Sequence, residues 1–437
     1  MDSNLRTRLL WLFGLVLVFK IGVHIPTPGV NSQALTELFD AKNSKTIFGL
    51  MNLFSGGALQ QLSILGLGIS PYISASIIMQ LATIMFPSVE QLQKEGEHGR
   101  RQITQYTRYL TVGIALIQAF VISTQLQGQF SPQSHQPIFS DLGLSARLLT
   151  TLLLATGAVF TMWIGEQITE RGIGNGSSIL IFVGIASSFL SGVNKLYLSF
   201  QNDQVSIGAV ILLALVMVAV VAFIVFMEQG YRKVPIQYTR RVVGRNVYGG
   251  QESHLPLRIN GAGVIPPIFA NTLLLFPATA ISMLPTVVLE LLSSWGIKFD
   301  ANSFTPSGML FQICYVVLII FFCFFYTAIT TNPSDLSENL KKSGGYIPGI
   351  RPGKATSDFL DSIITRLTFS GAIYIAAVCV FPTILIQAFK VDFYFGGTTL
   401  LILVGVALDT ISQIQAHLMQ QNYDGFLKQA RLRGRRA

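Results

Sequence analysis

Apolar residues gather along this chain into ten long runs separated by polar segments. The runs fall at 9–25, 64–86, 110–124, 146–164, 177–191, 205–227, 262–283, 311–330, 367–388 and 398–419. Most approach or exceed the ~20 apolar residues that a helix needs to cross a bilayer. The pattern therefore predicts ten transmembrane helices. One stretch, 51–87, is apolar but interrupted: Gly56 and Gly57 stand together, Gly66 and Gly68 follow, and Pro71 comes next. Glycine and proline punctuate helices, so the stretch reads as a short helix over 58–67, a break at 68–71 and a second helix over 72–86. A helix broken at membrane depth leaves backbone groups unpaired, which is tolerated only inside protein or beside a water-filled cavity. The chain is thus expected to surround a cavity, with the short helix inside it.

Polar segments between the runs are mostly short, with two exceptions at 228–261 and 331–366. Bare connectors are shorter than this. In the first, Val234, Ile236 and Tyr238 alternate with Lys233, Pro235 and Gln237, a turn-rich 240–244 follows, and then comes 245–248. That pattern predicts a two-stranded ribbon standing away from the membrane, with Arg240, Arg241 and Arg245 near its tip. Five runs precede residue 200 and five follow it. Two five-helix halves, 1–200 and 201–437, would be inverted relative to one another, an arrangement that puts a pathway at their interface. Internal sequence repetition does not establish this by itself.

Composition sharpens the class. Hydrophobic residues make up 51% and charged residues 12% of the 437, against roughly 25% charged in soluble domains. The N-terminal run lacks a small-residue cleavage site and reads as a retained first helix. Lys and Arg fix the orientation: with the N-terminus inside, 23 of the 30 basic residues lie in inside segments, including the tail 420–437. Only Lys20, Lys42, Lys45, Arg147, Lys195, Lys298 and Lys390 lie elsewhere. Both termini are therefore expected in the cytoplasm, and the net charge of +9 sits almost wholly on that face.

Candidate chemistry is sparse. Cys314, Cys323 and Cys379 lie inside apolar runs with no metal or disulfide spacing. Asp409 is the one acid well inside a run and reads as an interhelical hydrogen-bond partner. No nucleophile–base pair or carboxylate pair is present, so no catalytic residue, metal or cofactor is expected. Ion-coupled transport also needs buried ionisable groups, which are few. Uncharged polar residues, among them Gln80, Gln118 and Asn271, are plentiful. They read either as packed helix contacts or as a weakly held seam that opens and recloses.

Several stretches resemble one family. They are 51–80, Lys94–Glu97 with Gly99–Arg101 and Gln105–Tyr109, Gly165–Gly176, His254–Leu257, Gly263–Pro266, Asn339–Gly344 and Gly349–Gly353. Together, in order and over nearly the whole chain, they resemble the bacterial SecY family, the pore subunits of the Sec protein translocase. The resemblance implies an all-α polytopic membrane protein with ten transmembrane helices in two inverted halves around an hourglass pore with a lateral gate. It makes 54–68, beginning Phe54, Ser55, Gly56, Gly57, Ala58 and Leu59, the plug. The gate would lie between the second and third spans and the seventh and eighth, where Gln80, Gln118 and Asn271 sit. By position, the constriction ring maps onto Ile69, Ile73, Ile181, Ile185, Ile268 and Ile402. Isoleucine suits such a ring, since aliphatic side chains seal around a chain without bonding it and dewet when empty. Ile69 with Ile73 and Ile181 with Ile185 are also spaced to share a helix face.

The resemblance further makes the ribbon a ribosome contact and the loop around Arg351 the contact for the SecA motor. Asn246 stands where many relatives carry a second Arg. Clustered arginine beside tyrosine suits phosphate backbones and stacked bases, and a basic loop also suits anionic lipid. The implied partners are the small membrane subunits SecE and SecG, the SecA ATPase, the ribosome with its RNA and proteins, signal peptides and nascent chains, and lipid. The implied activity is conduction of unfolded polypeptide across the bacterial plasma membrane, with lateral release of apolar segments. A secondary transporter of a small solute also uses broken helices and inverted halves. The scarcity of buried ionisable groups and the basic ribbon distinguish the two.

Overall fold

The chain was described in a computed structural model. It describes residues 3–41, 47–131, 134–139, 143–202, 207–238, 241–243, 246–248, 252–283, 308–389 and 396–434. Helices dominate, and each predicted span has one. They are α1 (Ser3–Val23), α4 (Ser70–Met85), α6 (Glu97–Leu126), α7 (Leu144–Arg171), α8 (Gly176–Gln201) and α9 (Ile207–Glu228). After a small sheet come α10 (Ile265–Met283), α11 (Met309–Thr330), α13 (Lys354–Phe389) and α14 (Gly397–Gly434). Shorter helices are α2 (Ser32–Ala41), α3 (Ile47–Ser55), α5 (Pro87–Lys94) and α12 (Pro333–Lys342). Among the described residues seven helices are long and apolar enough to cross a membrane, or eight if α4 and α5, bent by 99° at Phe86, count as one. Several helices overrun the apolar run that predicted them. α6 begins at Glu97 and α13 at Lys354, because helical backbone continues with polar residues where the apolar run ends.

The broken stretch differs from its expectation. The short helix is α3, before the glycines, and 58–67 is a succession of turns. Gly56 and Gly57 both adopt positive φ, 71° and 89°, and end α3. Gly57 N–H closes the helix by bonding Asn52 C=O at 2.9 Å, a helix-terminating geometry that glycine makes cheap. Side chains then hold the turns. Asn52 Oδ1 accepts from Gln60 N–H at 2.8 Å, and Ser55 Oγ accepts from Leu59 N–H at 3.3 Å. Pro71 does not break a helix. It stands in the first turn of α4, where its missing N–H costs nothing.

Outside the apolar helices, β1 (Tyr231–Tyr238) pairs antiparallel with β4 (Glu252–Arg258), while β2 (Arg241–Val243) pairs with β3 (Asn246–Tyr248). The expected turn at 240–244 is thus partly strand: β2 and β3 form a separate two-stranded sheet in which Val242 pairs with Val247, and β1 takes β4 as its partner, not 245–248. On its other edge β1 pairs with β5 (Gly345–Tyr346), giving the order β4-β1-β5. Val234 and Ile236 are buried and alternate with exposed neighbours. Val234, Leu257, Ile347 and Leu360 form a small separate core that joins the two long loops into one body.

The main core draws on α1, α4, α7, α8, α9, α10, α11, α13 and α14. A second core gathers α2, α6 and α7. The turn segment bridges them: Ala58 and Leu65 belong to the first, and Leu59, Leu62 and Leu67 to the second.

Candidate functional site

All six isoleucines singled out from the sequence are buried, none more than 7% exposed, and all six fall in the main core. They come from the start of α4 (Ile69, Ile73), from α8 (Ile181, Ile185), from α10 (Ile268) and from α14 (Ile402). α8 is set by its N-cap, where Asn175 Oδ1 accepts from the amides of Ser177 and Ser178 at 3.0 and 3.4 Å. Four elements that are far apart in sequence thus deliver one residue type to one apolar cluster.

The turn segment rests on this cluster through glycines. Gly56 lies against Gly184 of α8, the residue before Ile185. A Cβ on Gly56 would stand 2.8 Å from Gly184 Cα. A Cβ on Gly157 of α7 would stand 1.8 Å from Ile64 O, and one on Gly22 of α1 would stand 2.5 Å from Leu65 Cδ1. Gly68 packs on Ser55 with no room between, since its Cβ would lie 3.1 Å from Ser55 Cα. Ser55, Gly56, Ala58 and Leu59 are buried, whereas Phe54 and Gly57 are half-buried. The backbone broken at 56–69 is therefore enclosed in protein, as an irregular segment at this depth must be.

Gln80, Gln118 and Asn271 lie on α4, α6 and α10, which pack against one another. Asn271 is buried and one turn along α10 from Ile268; Gln80 and Gln118 are half-buried. No hydrogen bond joins the three among the described residues. Gln118 Oε1 is buried and accepts none among the described residues.

Arg351 is exposed on a turn between Gly349 (φ 82°) and Gly353 (φ 108°). That turn is pinned from both sides: Ser337 Oγ donates to Gly353 C=O at 2.8 Å and Thr356 Oγ1 to Arg351 C=O at 2.9 Å. Ile347 and Ile350 anchor it to the small core. Arg240 and Arg245 lie outside the described residues, as does the side chain of Arg241 at the start of β2.

Asp409 is not deep in the bundle. Its side chain is 58% exposed and stands 3.7 Å from Arg258 at the end of β4, so it ties α14 to the sheet instead of bridging buried helices. Arg258 also lies over the Tyr231 ring, 5.9 Å from its centroid. Beside it, Asn260 Nδ2 donates to Glu228 at 2.6 Å. Sequence reasoning also missed Arg108 of α6, which forks onto Glu166 of α7 with two bonds of 2.8 and 2.9 Å. Both residues sat in motifs already marked, but nothing in either motif pairs them. Among the described residues no cluster of three His, Cys, Asp or Glu could hold a metal ion.

A bundle of apolar helices that encloses a broken, non-helical segment defines a multi-pass membrane protein. Comparison with known proteins agrees on the fold. The chain is similar to a solved structure described as a protein conducting channel, with TM-score 0.64 and 18% identity, covering 95% of this chain and 93% of the other. It is likewise similar to Sec61 in the canine ribosome-channel complex from the endoplasmic reticulum, with TM-score 0.60 and 16% identity, covering 95% and 93%. The SecY family model matches residues 63–411. Protein translocase subunit SecY of Pseudomonas aeruginosa is 47% identical over 99% of this chain and 95% of its own length. That of Escherichia coli is 43% identical over 99% and 96%. The chain belongs to the SecY family.

Proposed function

We infer that the chain forms the channel through which unfolded secretory polypeptides cross the bacterial plasma membrane, and from which transmembrane segments pass sideways into lipid. One observation supports the reading: isoleucines from α4, α8, α10 and α14 are all buried in the one core against which a glycine-seated, non-helical segment packs. Ile69, Ile73, Ile181, Ile185, Ile268 and Ile402 form the constriction ring. β-Branched aliphatic side chains close around a moving chain and offer it no hydrogen bond. Residues 54–68 form the plug that closes the path at rest. The path lies between the halves 1–200 and 201–437.

An arriving signal sequence parts the seam where α4 and α6 meet α10. Gln80, Gln118 and Asn271 make that seam a weaker apolar contact than leucines would. Apolar segments leave through it because lipid favours them, while a charge at the bilayer centre costs about 3 kcal/mol. The chain does no covalent chemistry, so direction comes from partners. Both termini and the β-sheet lie in the cytoplasm. There Arg240, Arg241 and Arg245 meet ribosomal RNA, and Arg351 meets the SecA motor. SecE and SecG complete the membrane complex.

Ion conductance in planar bilayers tests the reading. The complex lacking residues 54–65 is expected to leak or flicker, whereas the intact complex stays closed. A deletion variant as tight as the parent overturns the plug assignment. A solute transporter would instead leave the bilayer tight and lose substrate exchange.

A further inference from the structure

We propose that Thr27 is the latch of the plug, and that it sets how apolar an arriving segment must be to open the channel. The proposal rests on the reading of 54–68 as the plug. Thr27 follows α1, is 2% exposed and touches the plug at its most unusual point. Its backbone N–H and its Oγ1 both donate to the carbonyl of Leu62, at 3.0 and 2.8 Å. One carbonyl has two lone pairs, so Thr27 occupies both.

Leu62 has φ +42°, a left-handed conformation that residues with a branched apolar side chain seldom adopt. On the far side of the same contact, Ile64 N–H donates to Ile25 C=O at 3.0 Å, and Pro26 stands opposite Ser63 as an antiparallel bridge. Proline fits there because its neighbours supply the bonds. Ser63 Oγ is buried between these bonds with no hydrogen-bond partner among the described residues. The strained and incompletely satisfied turn at Leu62 is thus tied to the segment after α1 by a few bonds, beside the apolar packing of Leu59, Leu62, Leu65 and Leu67. A single bond makes a measurable share of that tie.

The experiment uses the whole membrane complex in planar bilayers, together with export of a reporter carrying signals of graded hydrophobicity. Thr27→Val keeps the branched shape and the backbone bond and removes the hydroxyl. One buried hydrogen bond is worth about two- to tenfold in an equilibrium, so resting open probability is expected to rise by about fivefold. Signals too polar for the parent should then be exported. Thr27→Ser restores the donor and should match the parent.

A second variant reads the same contact in the opposite direction. Pro26 and Ser63 face each other between the two bonded pairs, where Cα atoms lie about 4.5 Å apart, within reach of a disulfide. Pro26→Cys with Ser63→Cys should close the channel when oxidised and restore export when reduced. If the complex lacking 54–65 leaks while Thr27→Val matches the parent, the latch is wrong and the plug stands. Equal leakage from Thr27→Val and Thr27→Ser also overturns it. If the deletion itself does not leak, the plug reading fails, and the latch with it.

Discussion

Glycine at position 157 is a steric requirement of the fold. α7 passes so close to the turn segment that a methyl group there would stand 1.8 Å from the carbonyl oxygen of Ile64 and 2.7 Å from its carbon. Backbone cannot swing aside as a flexible side chain can, so either α7 or the turn must shift. Overpacking of this kind costs about 1–3 kcal/mol. Gly157→Ala should therefore lower the thermal midpoint of the purified complex by several degrees and raise its resting conductance. Gly113, in α6, is the control, because nothing lies within 4 Å of its Cβ position. There alanine gains helix propensity worth about 0.5–1 kcal/mol, and Gly113→Ala should be neutral or stabilising. Equal melting of the two variants would contradict the close approach. Both glycines look alike in the sequence, each inside an apolar run. What separates them is which neighbour comes within 4 Å, a property of the packing that local pattern does not encode.

At the scale of elements, long apolar periodicity was legible, and each run became a helix. Short irregular structure was not. Gly56 and Gly57 announced an interruption, yet whether they start or finish a helix depends on φ, and their positive values finish α3. The pairing of β5 with β1 was equally hidden, since two residues carry no periodicity and their partner lies more than a hundred positions away. The link between α2 and the 129–139 turn belongs to the same category. Glu37 of α2 accepts from the hydroxyls of Ser131 and Ser134, the latter at 2.8 Å, and from the Ser134 amide at 3.3 Å. These bonds favour the carboxylate and hold its pKa below the ordinary glutamate value. A depressed folded pKa means that the tether is at full strength above the ordinary value and is lost as pH falls through the folded one. Amide exchange at Ser134 and His135, corrected for intrinsic rate, should therefore accelerate as pH drops from 6 toward 3, and Glu37→Gln should make it pH-insensitive. An unchanged pH profile in that variant would remove the carboxylate from the tether.

For the whole molecule, the proposed gating raises the question of what balance keeps the seam shut until a signal arrives. The main core runs continuously from α4 across α10, α11 and α13 to α14, so opening the seam between α4 and α10 divides apolar contacts that are otherwise uninterrupted. Polar side chains at that junction lower the cost. Asn271 is buried three residues from Ile268 on α10, and Gln80 is half-buried on α4. An amide in an apolar contact is worth less than a leucine by about 1–3 kcal/mol, and each 1.4 kcal/mol is about tenfold in the balance between closed and open. Replacing Gln80 and Asn271 together by leucine should therefore stabilise the closed seam. It should also raise the hydrophobicity that a signal needs, while leaving strongly apolar signals competent. Export of a reporter series measures this directly. The same variants should counteract Thr27→Val, because in the proposed mechanism seam and plug bias one closed state from two contacts with no shared residue, and such effects add. A double-leucine variant that accepts the weakest signals as readily as the parent would show that the threshold is set elsewhere, leaving the plug contacts to carry it alone.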